Sequence, residues 1–267
     1  MSVRSTVLAL PTLLRIGFAD AVAYRAEMIV WTLSATMPLI MLALWLAVAS
    51  EAPMGRLGQP ELIAYFLATF VVRQLTASWV CWKINTEVRD GTLAMRLLRP
   101  VHPLVAYGAE NLAAIPLRGI LSLPAAIVAL ALVGTTPLPR DPVLWILWAF
   151  SMVGAWLITL LANFAIGCLA LFLESSIKLM DVWFTLFLVF SGYLIPVELF
   201  PPLVRTIGDW LPFRYQLGLP VEIMTSAHDR ASALTLVGQQ WAIVVLHLGF
   251  TAFVWRRGLG RFAAYGG

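Results

Sequence analysis

Residues 143–173 read VLWILWAFSMVGAWLITLLANFAIGCLALFL, 31 positions without one Asp, Glu, Lys or Arg. About 20 apolar residues of α-helix cross ~30 Å of hydrocarbon. At ~1.5 Å per residue this stretch reaches about 46 Å, so it predicts a crossing helix that tilts, bends or runs past the hydrocarbon. The rest of the chain agrees with it: 61% of the 267 residues are hydrophobic and 12% charged, about half the charged share of a soluble domain. With 14 acidic and 18 basic side chains, a soluble globule of this size would leave large apolar patches in water, which excludes that class.

Working outward, five more apolar stretches appear. They run from Met28 to Ala49, from Leu62 to Trp82 with Arg73 and Gln74 interrupting, and from Val105 to Val133 with Glu110, Pro116, Arg118 and Pro124 inside. A short one runs from Leu179 to Ile195, and a last one from Leu234 to Trp255. The expectation is an all-α membrane protein with six transmembrane helices in a single transmembrane domain: an interfacial helix over 1–27, spans one to five over 28–195, an outer segment over 196–233, and span six with its tail over 234–267. In the first of these, Val7, Leu10, Leu13, Leu14, Phe18, Ala21 and Val22 share one arc at 100° per residue, opposite Ser5, Thr12, Arg15, Asp20 and Glu27. That pattern predicts an amphipathic helix lying on a leaflet. A signal peptide cleaved near Ala19 to Ala21 is the weaker reading, because Arg15 breaks the apolar run.

Six crossings put both termini on one side. That side carries Arg4, Arg15, Arg25, Lys83, Arg89, Arg96, Arg99, Lys178, Arg256, Arg257 and Arg261, eleven cations against Arg56, Arg140, Arg205, Arg214 and Arg230 on the other. The positive-inside rule makes the terminal side cytoplasmic, in an inner membrane. Net charge +4 with no basic run among exposed aromatics gives no case for nucleic acid. Cys81 and Cys168 fall inside apolar stretches and read as buried small hydrophobes. The segment from Pro196 to Ala233 holds Pro196, Pro201, Pro202, Pro212 and Pro220. It is too apolar for a solvated loop and too broken for a crossing helix, so short re-entrant helices are expected there.

The largest connection on the cytoplasmic side, Asn85 to Pro100, reads NTEVRDGTLAMRLLRP. Gly91 permits a break, Thr92 to Leu98 contains good helix formers, and Pro100 ends the run. A short helix with Leu93, Leu97 and Leu98 beside Arg96 and Arg99 suits docking into a cytoplasmic partner, and a solvated basic loop is the plain alternative. Glu87 to Pro100 resembles the Glu-x-x-x-Gly-Thr-Leu pattern followed by Leu-Leu-x-Pro in the coupling helix of ATP-binding cassette (ABC) type-2 transporter permeases. Ser191-Gly192-Tyr193-Leu194-Ile195-Pro196, then Pro201-Pro202 and Leu211-Pro212-Phe213, is similar to that family's Gly-x-x-x-Pro end of span five, its re-entrant helices and its Leu-Pro-Phe turn. The Trp-rich first span after Tyr24-Arg25-Ala26-Glu27 resembles a branch of short permeases in which two different permeases share one kind of ATPase.

The resemblance implies an exporter subunit whose Glu87, Arg89, Gly91, Thr92, Leu93, Arg96, Leu97 and Pro100 couple it to a cytoplasmic ABC ATPase, two copies of which serve the permease pair. It implies a second permease, different or identical, and an outer motif at Gly192, Pro196, Pro212 and Phe213. No cofactor is expected in this chain: Lys83 and Lys178 lack the Gly-rich loop that cradles phosphates, so ATP and Mg belong to the partner. Cargo of amphipathic or lipid-like character is the expectation.

Polar groups inside spans are functional candidates. Arg73 and Glu110 each lie eight or nine residues from the cytoplasmic ends of their spans, ~12–14 Å deep, so they are expected to pair. Arg118, two turns beyond Glu110, is expected either to face the same cavity or to snorkel. Asn163 and His247 read as interhelical hydrogen-bond partners, and Asp181 as a boundary ion pair with Lys178. A lipid-alcohol transferase is rejected because Met95 stands where its Asp-Gly-x-x-Ala-Arg pattern needs Arg, and no paired aspartates follow to hold a metal. An intramembrane serine protease lacks its Gly-x-Ser. An ion-coupled carrier or channel remains the runner-up.

Overall fold

Among the described residues, seven of the thirteen α-helices carry proline at one of their first two positions, where a missing N–H costs nothing. The computed structural model describes residues 3–26, 29–30, 35–51, 57–134 and 137–261. Its helices are α1 (Val3–Ala23), α2 (Met37–Ala49), α3 (Gln59–Thr76), α4 (Val80–Arg89), α5 (Leu93–Leu97), α6 (Pro103–Ala113), α7 (Ile115–Val133), α8 (Pro142–Cys168), α9 (Ile177–Phe190), α10 (Pro202–Trp210), α11 (Pro212–Gln216), α12 (Gly218–Met224) and α13 (Arg230–Leu259). Asp141 caps α8 by accepting from the Val143 N–H at 3.0 Å, and Asp229 caps α13 through Ser232 at 3.0 Å.

Four helical stretches are long and apolar enough to cross a membrane: Gln59–Arg89, Pro103–Val133, Pro142–Leu171 and Arg230–Leu259. Helices α2 and α9 are shorter, 13 and 14 residues, an arrangement compatible with six crossings. Residues 28 and 31–34 of the expected first span, residues 52–56 and 135–136 of the expected outer turns, the side chains of Ser5 and Val7, and Glu27 lie outside the described residues.

The uncharged helix α8 is the central pillar. It packs on α13, α4, α11, α12, α3 and α9, and a Cβ on its Gly167 would meet Cys81 Cα at 3.1 Å, so backbones approach closely at that crossing. Gln240 of α13 donates to the carbonyls of Ser151 (3.0 Å) and Tyr215 (2.8 Å), joining three elements with one amide.

Two of the long stretches are interrupted. Pro116 follows the bend at Ala114, between α6 and α7. Ala77 is extended (φ −60°, ψ 144°), and residues 77–79 separate α3 from α4. After this break the second span resumes as helix to Arg89, so the connection expected to start at Asn85 starts five residues later, at Asp90. Helix α1 lies along α6 with Gly17 and Ala21 as its buried seam. Leu10, Phe18 and Val22 of the expected apolar arc stay exposed, a narrower buried face than the periodicity suggests.

Candidate functional site

The hairpin between α4 and α6 is held from within. Gly91 breaks the chain with φ +74°, a left-handed conformation that suits glycine, and α5 follows directly. Leu93 is fully buried and Arg96 is 8% exposed. The Arg96 guanidinium donates to both oxygens of Glu87 (2.9 and 2.7 Å) and to Glu110 Oε1 (2.9 Å), and it lies 4.0 Å from the Tyr107 ring centroid. Tyr107 donates to Glu87 as well. Burial alone would lower the Arg96 pKa, but Glu87, Tyr107 and Glu110 reverse this and hold it above its ordinary value.

This arrangement corrects the expected docking surface. Arg96 and Leu93 turn inward and Leu97 is half-buried, because one side of so short a helix must cover the α4–α6 gap. The outward side carries Met95 (69% exposed) and Leu98 (86% exposed), with Thr92, Arg99 and Pro100 exposed on it and Arg89 and Asp90 exposed just before Gly91. From the other side of α4, Asn85 donates to Ser176 Oγ at 2.8 Å and accepts from the Ser176 N–H at 2.9 Å, tying the hairpin to the start of α9.

The expected Arg73–Glu110 pair does not form. Glu110 is taken by Lys83 (2.6 Å) and Arg96, while Arg73 lies over the rings of Phe184 (5.6 Å) and Phe187 (5.0 Å). Lys83, read only as a topological charge, is the missed partner. The break at Ala77 lies between Arg73 and Lys83, and it is Lys83 that meets Glu110. That break also explains Arg118: its Nη1 donates to the Ala77 carbonyl at 2.6 Å, where Asn111 Nδ2 donates too at 3.1 Å. A carbonyl freed by a mid-span break needs such donors, since lipid supplies none.

Arg73, Glu110 and Arg118 line one cavity of about 840 Å³, together with Lys83, Asn163, Trp183 and Gln216 among others. Asn163 and His247 are corrected as well. Each bonds a carbonyl four residues back on its own helix, Thr159 O at 3.0 Å and Ile243 O at 2.9 Å, instead of reaching across.

At the opposite end, Gly192 takes φ +86° and its carbonyl accepts from Tyr65 at 2.8 Å. Trp45 of α2 donates to Leu194 O at 3.0 Å. Pro196 leads into a short turn, and Pro212 opens α11, whose Phe213 is buried 4.8 Å from the Trp183 ring. The periodicity gave no sign of the polar knot beneath it. Arg214, 3% exposed, binds Asp209 and Glu222 (2.8 Å), and His228 meets Glu222 at 2.6 Å. Burial would raise the Glu222 pKa, but Arg214 and His228 hold it down at about 2.

No curated protein shows significant similarity to the chain. A family description, ABC-2 family transporter protein, matches residues 36–266. That range takes in the hairpin, both interrupted spans, the cavity walls from α3 to α11 and the outer knot. With all-helical spans and this match over most of its length, the chain belongs to the ABC-2 transporter family, as an integral membrane permease component that works with an ABC ATPase and is not itself the ATPase.

Proposed function

We propose that the chain is one half of the transmembrane dimer of an exporter in the cytoplasmic membrane, with both termini in the cytoplasm. The Glu87–Pro100 hairpin seats in a cleft of one of two ATPase copies that serve the permease pair, and the second permease is a different chain, as in the branch that the first span resembles. Cargo is amphipathic or lipid-like, and it leaves by alternating access.

The observation that carries this reading is the exposed Met95–Leu98 pair on a helix whose other side is pinned by Leu93 and Arg96. A knob of this kind passes on force because its base is rigid: Arg96 and Glu87 fasten α5 to α4, Glu110 fastens it to α6, and Asn85 fastens α4 to α9. Closure of the ATPase dimer on ATP then shifts α4, α6 and α9 together, and these helices line the cavity. ATP biases the pair by binding the closed state more tightly.

Coexpression with a cassette ATPase from the same genome tests it. Co-purification and vanadate-sensitive ATP hydrolysis are expected, and Leu98→Asp abolishes both while the permease itself still elutes as a folded species. Association that survives Leu98→Asp combined with Met95→Asp, or ion-gradient-driven flux from the permease alone, overturns the reading.

A further inference from the structure

The cavity carries two arginines that the fold leaves without an acid. Among the described residues, no ion pair includes Arg73 or Arg118. Arg118 gives two of its five N–H donors to the Ala77 and Asn111 carbonyls, and Arg73 lies over the two phenylalanine rings. A charge carried into a span is costly, and stacking on rings offsets only part of that cost. A bound anion offsets this cost for both arginines, which line the same cavity.

A second, independent observation points to a ligand. Gln216 Nε2 and Asn163 Oδ1 have no hydrogen-bond partner, their residues are 3% and 2% exposed, and both line the same cavity. Buried polar atoms left unpaired in this way are costly unless something fills the space between them.

The acids that line the cavity, Asp20, Glu110 and Asp181, belong to its hairpin end. Glu110 is neutralised by Lys83 and Arg96, and Asp181 is half-exposed 3.7 Å from Lys178. Asp20 lies one turn from Gly17, where α1 touches Glu110. Lys83 is ten residues beyond Arg73, on the far side of the break at 77–79, and is held by Glu110. A cationic ligand would find the Phe184 and Phe187 rings already taken by Arg73.

We propose that this cavity binds amphipathic organic anions, the anionic head held by the Arg73 and Arg118 guanidiniums with Gln216 and the apolar body laid against Trp79, Trp183 and Tyr193. The inference rests on the exporter reading for the fate of the bound molecule and names its substrate class. A volume of about 840 Å³ lies within the ~300–1,000 Å³ usual for small-molecule sites. The planar guanidinium suits carboxylate, sulfonate and phosphate heads alike.

The test uses the full chain in lipid nanodiscs, with energy transfer from tryptophan to dansylated undecyl probes that differ only in their head: carboxylate, phosphate monoester, methyl ester or trimethylammonium. Saturable binding of the two anionic probes is expected, about tenfold or more tighter than the ester, with none from the trimethylammonium probe. Arg73→Gln weakens the anionic probes about tenfold and leaves the ester unchanged. Should Arg73→Gln fail to fold, Arg73→Lys keeps the charge without the fork and lowers affinity several-fold, and Gln216→Leu does the same. Equal binding of all probes, preference for the cation, or folded Arg73 variants that bind as the parent does would each overturn the proposal. The readout needs no ATPase. Loss of anion selectivity with cassette association intact therefore removes this site alone, and the reverse result removes the exporter reading alone.

Discussion

The two ends of the molecule and its middle treat arginine in opposite ways. At the hairpin end Arg96 lies between Glu87 and Glu110, and at the other end Arg214 lies between Asp209 and Glu222. Each is an arginine between two carboxylates, fastening a five-residue helix to its neighbours. In the middle, Arg73 and Arg118 meet only rings and carbonyls. The ends are closed networks, whose worth is geometric: they hold α5 and α11 in place. The middle has donor capacity to spare, which a structural tie would have used up.

The largest effect that would break this comparison is at an end. Removing one partner of a buried pair strands the other charge, at about 3–5 kcal/mol, so Arg96→Ala is expected to lower the melting temperature sharply in detergent. Arg73→Gln, which strands no acid, should cost far less; equal losses would erase the distinction.

Next is the pH dependence at the other end. Glu222 is held at about 2 against an ordinary 4.5, so its carboxylate contributes stability that is fully present above about pH 4.5 and is lost as pH falls toward 2. The difference corresponds to about 3 kcal/mol. Melting curves of the parent and Glu222→Gln should therefore converge as pH drops from 4.5 to 2, and a constant gap would show that Arg214 does not hold the ionised form.

Arg118→Leu comes third, at about 1–3 kcal/mol for the Ala77 carbonyl it leaves with one donor fewer, and Arg118→Lys should recover part of this. The smallest effect is at the surface. Lys178→Ala removes an exposed pair at 3.7 Å and should leave the melting temperature unchanged within error.

How much of the site was legible depends on which coordinate it needed. Composition and run length placed the long spans, because burying backbone in hydrocarbon leaves few alternatives to helix. Gly91 and Pro100 bounded the hairpin helix, since turn chemistry is local. Counting residues set Arg73 and Glu110 eight or nine positions from the ends of their spans. Their partners needed azimuth as well, and that was out of reach. Three non-helical residues at Ala77 redirect one helix, and Lys83, ten positions on, takes the acid that Arg73 was expected to hold. Similarly, Leu93 and Leu98 look equivalent as leucines; only the gap between α4 and α6 decides that one is a wedge and the other a knob.

By itself, then, the sequence determined the solvent, the helical class, the long apolar spans and the position of the hairpin, all of which follow from short-range rules acting along one axis. Tertiary structure alone decided which arginines are paired, which carbonyl Arg118 serves, and that Asn163 and Gln216 face a shared space. Those outcomes depend on how interrupted helices rotate against α8, a packing balance to which residues far apart in the chain contribute at once.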